Sequence, residues 1–453
     1  MDSSADDPEE CQRSSSPTAD SPVMYRNPSP PPETTDGEEK ENTDAIGETV
    51  YSKHWLFSTL TRLIQMVTEH SEEDSENQMQ LSDSDEEALC IVWDMAMDKD
   101  VAGLLQEFKA TDILLGVISK SRCPRLTEIC VGILGNIACF PESCLSLSQN
   151  EDLGAVLLLL LGDTDPPTLL ETNRLLLTCL SQKDVSVLWL DRIKQQKSVK
   201  QHLCFIMSSS TNTDLLEKVG ELVDKLFDLD EELMKSWITA QPSEEEDGEE
   251  CRLDLVSCLV EAARQLRPES PNGLEVYLHV LQLLTTTDEG IQAFAVLDGP
   301  GKTVWDFVCE DVYQKNDPSV FLQEQKSLLI LSLSVLQALY RCQDQWSRKG
   351  NISLHLIATI LQVLQQHSVS HTEDEQLQTL AEIATEFFAD ICQQITRDTV
   401  ADLVKNGLLT EKTCLTAAGS LDQGYKASLR HLQDMLSEAD PQLADVMRKQ
   451  FPD

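Results

Sequence analysis

Positive charge is scarce in this sequence of 453 residues. Lys and Arg together number 35 against 78 Asp and Glu residues, so the net charge is −43 and the pI is near 4.4. Nucleic acids and anionic membranes are bound by basic surfaces that release counterions from phosphate groups. A chain this acidic repels such polyanions at long range. We therefore expect neither nucleic acid nor a membrane among its partners, and a protein partner with a basic segment is favoured.

Aromatic residues and long apolar runs are also few. The chain has 6 Trp, 6 Tyr and 11 Phe, whereas Leu recurs throughout, which favours helical packing over sheet packing. The longest purely apolar run, from Ala155 to Leu161, is far shorter than the roughly 20 residues that cross a bilayer. The chain opens Met1-Asp2-Ser3 without a basic or apolar leader, so we expect a protein that is not secreted.

Cysteine motifs are missing although cysteine itself is present. None of the 14 cysteines forms a Cys-x-x-Cys pair, and most lie among leucines, as Cys130, Cys179 and Cys258 do. A free thiol in such surroundings behaves as a small hydrophobic group. We expect free thiols in a core rather than disulfides or a metal site.

Motifs that carry catalysis are absent as well. Gly301-Lys302-Thr303 is the end of a P-loop pattern, but Val296 stands where the earlier glycine is needed and no strand precedes it. His371-Thr372-Glu373 has the spacing of zinc deaminases without their Pro-Cys-x-x-Cys partner. Neither His-Glu-x-x-His nor Gly-x-Ser-x-Gly occurs. The sequence therefore predicts a protein that is not an enzyme and has no cofactor or metal site.

Composition divides the chain into segments. Residues 1–48 are rich in Pro, Ser and acids and poor in large apolar side chains, which is typical of a disordered tail. Residues 49–240 and 252–453 have apolar side chains at a period of 3.6 and are predicted to be helical. An acidic linker is predicted at residues 241–251. A further acidic stretch, residues 69–87, is predicted to be a mobile loop within the first helical region.

The helical regions contain an internal repeat. Residues 124–128 match residues 167–171 at an offset of 43, and Leu215-Leu216-Glu217 repeats Leu169-Leu170-Glu171 after a further 46 residues. Offsets of about 40 to 47 are typical of armadillo and HEAT repeats. Each such unit buries its apolar stripe only by stacking on the next unit. The sequence therefore predicts an all-α fold, an armadillo/HEAT-like helical solenoid.

Asn136 is the one candidate groove residue. Residues 133–138 look like the inner-helix signature of armadillo repeats, in which this Asn projects into the concave groove and bonds the main chain of an extended peptide. Gly132 replaces the Trp that often stands one turn earlier. The equivalent positions of neighbouring repeats hold Met95, Cys179 and Lys225. A local structural role for Asn136 is the alternative.

Three serines are candidate phosphorylation sites. Ser29 precedes a proline, and Ser82 and Ser84 each have an acid three residues later, as acidophilic kinases prefer. A helix is predicted to begin just after Glu87, so that a phosphate near its start would interact with the helix dipole. A solvated linker without a regulatory role is the alternative.

Stretches along nearly the whole chain resemble the serum amyloid A-like protein 1 family. They are residues 26–32, 50–57, 124–140, 165–172, 207–212, 280–286 and 322–326. The resemblance implies an armadillo-like fold, no known enzymatic activity, and a nuclear location with the cytoplasm as a second compartment. It also implies a role in promoting cell proliferation under inflammatory stimuli, and it brings no established site residues.

Two hypotheses for the function remain open. In the first, the chain is a scaffold whose concave face binds a basic segment of a partner protein, with the encounter accelerated by the acidic field. In the second, the chain is an acidic chaperone for basic client proteins such as histones, and the acidic runs neutralise the client. Deleting residues 1–48, 69–87 and 243–250 would separate the two hypotheses.

Overall fold

A computed structural model of the chain describes residues 44–71, 81–239, 254–296, 299–313, 325–342, 352–370 and 374–452. Most residues in these ranges are helical, and their one β-type pairing is an isolated antiparallel bridge between Ala45 and Ser52. The predicted all-α class is confirmed. Most of the predicted tail, including Ser29, lies outside the described residues, as do residues 240–253 with the predicted linker.

The helices follow one another as short units. The first helices of the chain are α1 (Lys53–Ser71) and α2 (Asp83–Met95). The next units are α3 (Lys99–Glu107), α4 (Ala110–Ile118) and α5 (Pro124–Ile137); α6 (Pro141–Gln149), α7 (Glu151–Leu160) and α8 (Pro166–Ser181); and α9 (Ser186–Gln195), α10 (Ser198–Ser209) and α11 (Thr213–Leu229). They are followed by α12 (Glu231–Thr239), α13 (Leu255–Leu266) and α14 (Pro271–Leu284), and by α15 (Asp288–Ala295), α16 (Pro300–Tyr313) and α17 (Lys326–Cys342).

The remaining helices close the C-terminal end. They are α18 (Leu354–Val369), α19 (Glu375–Gln394), α20 (Arg397–Lys405), α21 (Glu411–Asp422), α22 (Lys426–Ala439) and α23 (Pro441–Gln450). Here α18 and α19 form a two-helix unit, while α22 packs on α20, α21 and α23.

One continuous row of helices runs through the structure. Each last helix of a unit packs on the last helix of the next, in the order α2, α5, α8, α11, α14, α17, α19 and α22. We call this series the third-helix row. Helices α10, α13, α16, α18 and α21 pack in a second series beside it. Units that stack in this way bury their apolar stripes against their neighbours, which is the predicted armadillo-like solenoid.

The start of each unit is fixed by local chemistry. Pro124, Pro166 and Pro271 occupy the first turn of α5, α8 and α14, where a missing N–H has no cost. Asp165 accepts a hydrogen bond from the N–H of Thr168, and Asn212 accepts one from Leu215. These prolines and caps fix the residue at which each helix begins. The two matching sequence segments, residues 124–128 and 167–171, therefore lie at the starts of α5 and α8.

The helical regions on the two sides of the predicted linker pack against each other. Helix α10 packs on α13, and α11 packs on α14, across residues 240–253. The side chain of Tyr277 in α14 donates a hydrogen bond of 2.8 Å to the carbonyl oxygen of Leu216 in α11. The apolar core is therefore continuous between the two predicted regions.

The predicted mobile loop at residues 69–87 is wrong at both ends. Helix α1 continues to Ser71, and α2 begins at Asp83 rather than after Glu87. Ser82 caps α2 by accepting a hydrogen bond from the N–H of Asp85. Acidic residues in a first turn interact favourably with the helix dipole, so the acidic run at residues 83–87 forms the start of a helix rather than a solvated loop. Residues 72–80 lie outside the described residues.

The cysteines of the described residues are free thiols, and most of them are buried, among them Cys130, Cys179 and Cys258. Burial raises the pKa of the Cys392 thiol, which suits a core position.

Candidate protein-interaction face

The third-helix row presents one long side to solvent, which we call the third-helix face. It is formed by the residues of these helices that do not enter the core, and polar or charged side chains bridge one helix to the next along it. Near α5 and α8 the bridging carboxylates pair with arginines, since Arg125 contacts Glu86 and Glu128, and Arg174 contacts Glu171. From α11 to α19 several carboxylates accept hydrogen bonds from neutral side chains instead.

Asn136 is held by both ends of its amide group. Its Nδ2 donates to the carbonyl oxygen of Trp93 over 2.7 Å, and its Oδ1 accepts a hydrogen bond of 3.0 Å from Nη1 of Arg174. The residue is buried, with 6% of its surface exposed. The structure thus places Asn136 between α2 and α8 as an inter-helix bridge, where its amide is already used by the protein.

Arg174 completes this closed end of the face. It donates to Glu171 of its own helix and to the carbonyl oxygen of Gly132 in α5. The indole ring of Trp93 covers Gly132 so closely that a Cβ atom there would lie 2.2 Å from Cε2 of the ring. A Trp is therefore present at this point, but it comes from α2, the preceding helix of the third-helix row.

Helix α11 exposes a mixed ridge that is mostly acidic. Lys218 pairs with Glu221, and Lys225 with Asp228, all within α11. Three other carboxylates of the ridge do not belong to these lysine pairs. Asp214 is exposed to solvent, Glu217 accepts a hydrogen bond from Ser270, and Asp224 contacts His279. The ridge therefore keeps a net negative charge.

Helix α19 exposes a second acidic ridge and contains no Lys or Arg. Glu382 and Glu386 are exposed one turn apart, and Asp390 follows on the same side. Gln337 of α17 donates to Glu386 over 3.4 Å and to Asp390 over 3.2 Å. Arg341 pairs with Asp390 at 2.8 Å, so one cation is shared by this group of carboxylates.

The pKa values of two side chains at this surface are raised by contacts that include nearby carboxylates. Nδ1 of His279 lies 2.6 Å from Oδ1 of Asp224, and this hydrogen bond raises the pKa of His279 above its usual value. The pKa of Tyr425 is raised by burial and then by the charges of Glu386 and Asp390. Negative charge therefore acts at both ends of the stretch from α11 to α19.

Ser82 and Ser84 lie at the other end of the row, at the start of α2. Both are exposed, and their hydroxyl oxygens are 3.3 Å apart. The Ser82 hydroxyl also donates to Asp85 over 2.7 Å, while Arg62 of α1 pairs with the same carboxylate at 3.4 Å. Phosphorylation of Ser82, Ser84 or Ser29 stays a prediction.

In the ranges that the structure describes, no three or more His, Cys, Asp or Glu side chains come together as metal ligands do. Over the same ranges, no helix combines the length and the apolar character needed to span a membrane.

Comparison with known proteins identifies the family. A profile of the SAAL1 C-terminal domain matches residues 199–429. Protein saal1 of Danio rerio is 55% identical over 448 residues, which cover 95% of this chain and 94% of the relative. The chain belongs to the SAAL1 family. Protein SAAL1 of Homo sapiens is 48% identical over 445 residues, covering 90% of this chain and 94% of the relative. The resemblance seen in the sequence is confirmed.

Solved structures similar to this SAAL1-family chain include designed repeats. A designed armadillo repeat protein, YIII(Dq)4CqI, is 12% identical with a TM-score of 0.40 and covers 62% of this chain and 99% of its own. An engineered protein, target OR329 of the Northeast Structural Genomics Consortium, is 13% identical with a TM-score of 0.42 and covers 62% of this chain.

The inter-helix carboxylates of this face were not singled out from the sequence. Glu217, Glu275 and Glu386 lie far apart in the chain from Ser270, Ser327 and Gln337, which bond them. The sequence signal for these carboxylates is an acid that recurs in the second turn of α5, α8 and α11, where Glu128, Glu171 and Glu217 lie.

Proposed function

We propose that this SAAL1-family chain is a scaffold without enzymatic activity, whose third-helix face binds a basic, extended segment of a partner protein. The proposal is supported by the exposed carboxylates of α11 and α19, which lie on one row of packed helices. Arg and Lys side chains that bind such carboxylates form charge-assisted hydrogen bonds, the stronger kind.

The spacing of the two ridges sets the form of the ligand. Neighbouring helix axes are about 8–10 Å apart, and three such steps separate α11 from α19 through α14 and α17. The ridges are therefore about 27 Å apart, which an extended peptide covers in about eight residues. We expect the partner segment to carry two groups of Lys or Arg separated by about that number of residues.

In this proposal, the part of the face around Asn136 does not bind the main chain of the partner segment. Because the Asn136 amide bonds Trp93 and Arg174, it is not offered to a peptide main chain. Recognition would then rest on side-chain charge between α11 and α19 rather than on an array of asparagines.

A binding assay with matched variants tests the proposal. The probe is a fluorescent peptide with two Lys-Arg-Lys groups separated by about eight Gly and Ser residues, measured by anisotropy at about 50 and about 300 mM salt. The paired variant Glu382→Gln and Glu386→Gln should weaken binding about fivefold at low salt. The control, Asp184→Asn with Asp191→Asn, removes the same charge from exposed sites on and beside α9, outside the row.

The outcomes of this assay separate the two functions. Equal binding by the two paired variants, or affinity that ignores salt, would contradict the third-helix face. Loss of binding on deletion of residues 1–43, with the Glu382 and Glu386 variant unchanged, would instead support an acidic chaperone for basic clients such as histones.

The cellular part of the proposal is carried by the family resemblance. We propose a nuclear and cytoplasmic scaffold that promotes cell proliferation under inflammatory stimuli. Cells that lack the protein should proliferate less after such a stimulus, and the Glu382 and Glu386 variant should restore growth less well than the Asp184 and Asp191 variant. Equal rescue by both would contradict a link between this face and proliferation.

A further inference from the structure

The outer side of α1 carries apolar side chains that the described part of the structure leaves about half exposed. Phe57 is 55% exposed and Ile64 is 44% exposed, and they lie two turns apart on the same side of the helix. A neighbouring side of α1 is buried through Leu56, Leu60 and Leu63. A terminal unit of a solenoid needs a polar outer face to stay soluble, so this side of α1 is unusual for an end.

Two threonines on the same side of α1, Thr61 and Thr68, do not make the stripe polar. The Thr61 hydroxyl donates to the carbonyl oxygen of Phe57 over 2.9 Å, and the Thr68 hydroxyl donates to that of Ile64 over 3.0 Å. Both hydroxyls are thus bonded inside the helix. The stripe therefore offers a partner little hydrogen bonding and mainly apolar surface.

An aromatic pair, two lysines and a histidine border the stripe. The ring of Phe57 meets that of Phe108 edge to face, with centroids 5.5 Å apart. Lys109, next to Phe108, is exposed and has a φ of 53°, the one positive φ of a non-glycine residue in the described ranges. Lys53 and His54 are exposed one turn before Phe57. We call these six residues the α1 patch: Lys53, His54, Phe57, Ile64, Phe108 and Lys109.

The chain itself enters the structure beside this patch. The carbonyl oxygen of Asp44 accepts from the N–H of Lys53 over 2.8 Å, and the Asp44 carboxylate accepts from the N–H of His54 over 3.3 Å. Ile46 is buried just after this point. The segment before Asp44 therefore starts within one helical turn of Phe57.

The preceding residues contain one apolar group that matches the patch. After Met1, the large apolar side chains among residues 1–43 are Val23, Met24 and Tyr25, which are consecutive and lie outside the described residues. We propose that the α1 patch is the docking site for the chain's own segment Asp20 to Arg26, with Val23, Met24 and Tyr25 against Phe57 and Ile64.

Reach and charge both favour this occupant. An extended chain covers about 3.3 Å per residue, so the residues between Tyr25 and Asp44 are more than long enough to return along α1. Tethering raises the local concentration of the segment to the millimolar range, which lets a small apolar contact form within one chain. Asp20 and Glu33 flank the apolar group and complement Lys53 and Lys109.

Site-specific cross-linking in the full-length chain tests the docking. Gln65, exposed on the same side of α1, is replaced by the photoreactive p-benzoylphenylalanine, and cross-linked peptides are identified by mass spectrometry. We expect intrachain cross-links to residues 20–28. The combined variant Val23→Ser, Met24→Ser and Tyr25→Ser should lower their yield about tenfold or more, since burial of one such side chain changes an equilibrium by that factor.

Two further variants keep the test specific. Phe57→Ser should lower the yield in the same way, whereas Val369→Ser, which changes another exposed apolar residue in α18, should not. Circular dichroism checks that each variant keeps its helix content. Cross-links that are unaffected by the triple substitution would overturn the proposal. Cross-links between two chains, whose yield falls on dilution, would overturn it as well, because they would assign the patch to a second copy.

Discussion

Replacing Gly132 by alanine should destabilise the protein, although alanine is the better helix former. Gly132 lies inside α5 under the indole ring of Trp93, and a Cβ atom there would be 2.2 Å from Cε2 and 2.3 Å from Cζ2 of the ring. Carbon atoms in contact are about 3.5 Å apart, so the ring has to move by about 1.3 Å. Such overpacking typically costs about 1–3 kcal/mol.

The indole ring of Trp93 cannot move freely, because hydrogen bonds hold the backbone of both Trp93 and Gly132 in place. The carbonyl oxygen of Trp93 accepts from Asn136 at 2.7 Å, and the carbonyl oxygen of Gly132 accepts from Arg174 at 3.2 Å. Helix propensity returns about 1 kcal/mol when glycine becomes alanine. We therefore expect a net loss of up to about 2 kcal/mol for Gly132→Ala.

Gly116→Ala is the matched control. Gly116 lies inside α4, and a Cβ atom there would meet nothing within 4 Å. The same substitution should then stabilise the chain by up to about 1 kcal/mol. Urea unfolding followed by circular dichroism gives the two midpoints, which should move in opposite directions. A shift of both variants in the same direction would refute the close packing of Trp93 on Gly132.

Three further predictions concern single contacts. Tyr277→Phe removes the hydrogen bond to the carbonyl oxygen of Leu216 and should cost about 1 kcal/mol in the same assay; an unchanged midpoint would contradict that bond. Ser82→Ala removes the cap of α2 and should cost about 1 kcal/mol, with faster amide hydrogen exchange confined to the first turn of α2; uniform exchange would argue against a cap. Because Asp224 raises the pKa of His279, protonated His279 stabilises the fold fully below its unfolded pKa of 6.5, and the contribution is lost as pH rises through the folded-state pKa. His279→Gln should therefore lower the urea midpoint more at pH 6 than at pH 8.5, and a difference that does not vary with pH would speak against the Asp224 contact.

Local patterns predicted the helices and the repeat, because both depend on neighbouring residues. The turn residues before Pro124 and Pro166 and the apolar stripes after them fix where α5 and α8 begin. The pattern failed at residues 81–87, where composition suggested a loop. Acidic residues there are compatible with a solvated loop and with the first turn of a helix, whose dipole they stabilise. Only the cap formed by Ser82 distinguishes the two.

Contacts between distant residues could not be predicted in the same way. The role of Asn136 depends on Trp93 and Arg174, which are 43 and 38 residues away and belong to other helices. The motif left two roles open for Asn136, a groove amide or a local structural residue, and the stacking of α2, α5 and α8 buries the side chain. The α1 patch could not be predicted from the sequence for a similar reason. Phe57 lies in an ordinary amphipathic helix, and its exposure depends on which helices pack beside α1.

The third-helix face combines stacking and recognition in the same carboxylates. Glu217, Glu275 and Glu386 each accept a hydrogen bond from the next or the preceding helix of the row, so their positions are fixed before any ligand arrives. A fixed acceptor loses little freedom when a basic side chain binds, which favours affinity. It also means that neutralising such a residue weakens stacking together with binding. Glu382 accepts from Gln378 of its own helix, so Glu382→Gln alone, measured beside the paired variant, leaves the bridges between helices intact and isolates the contribution of charge to binding.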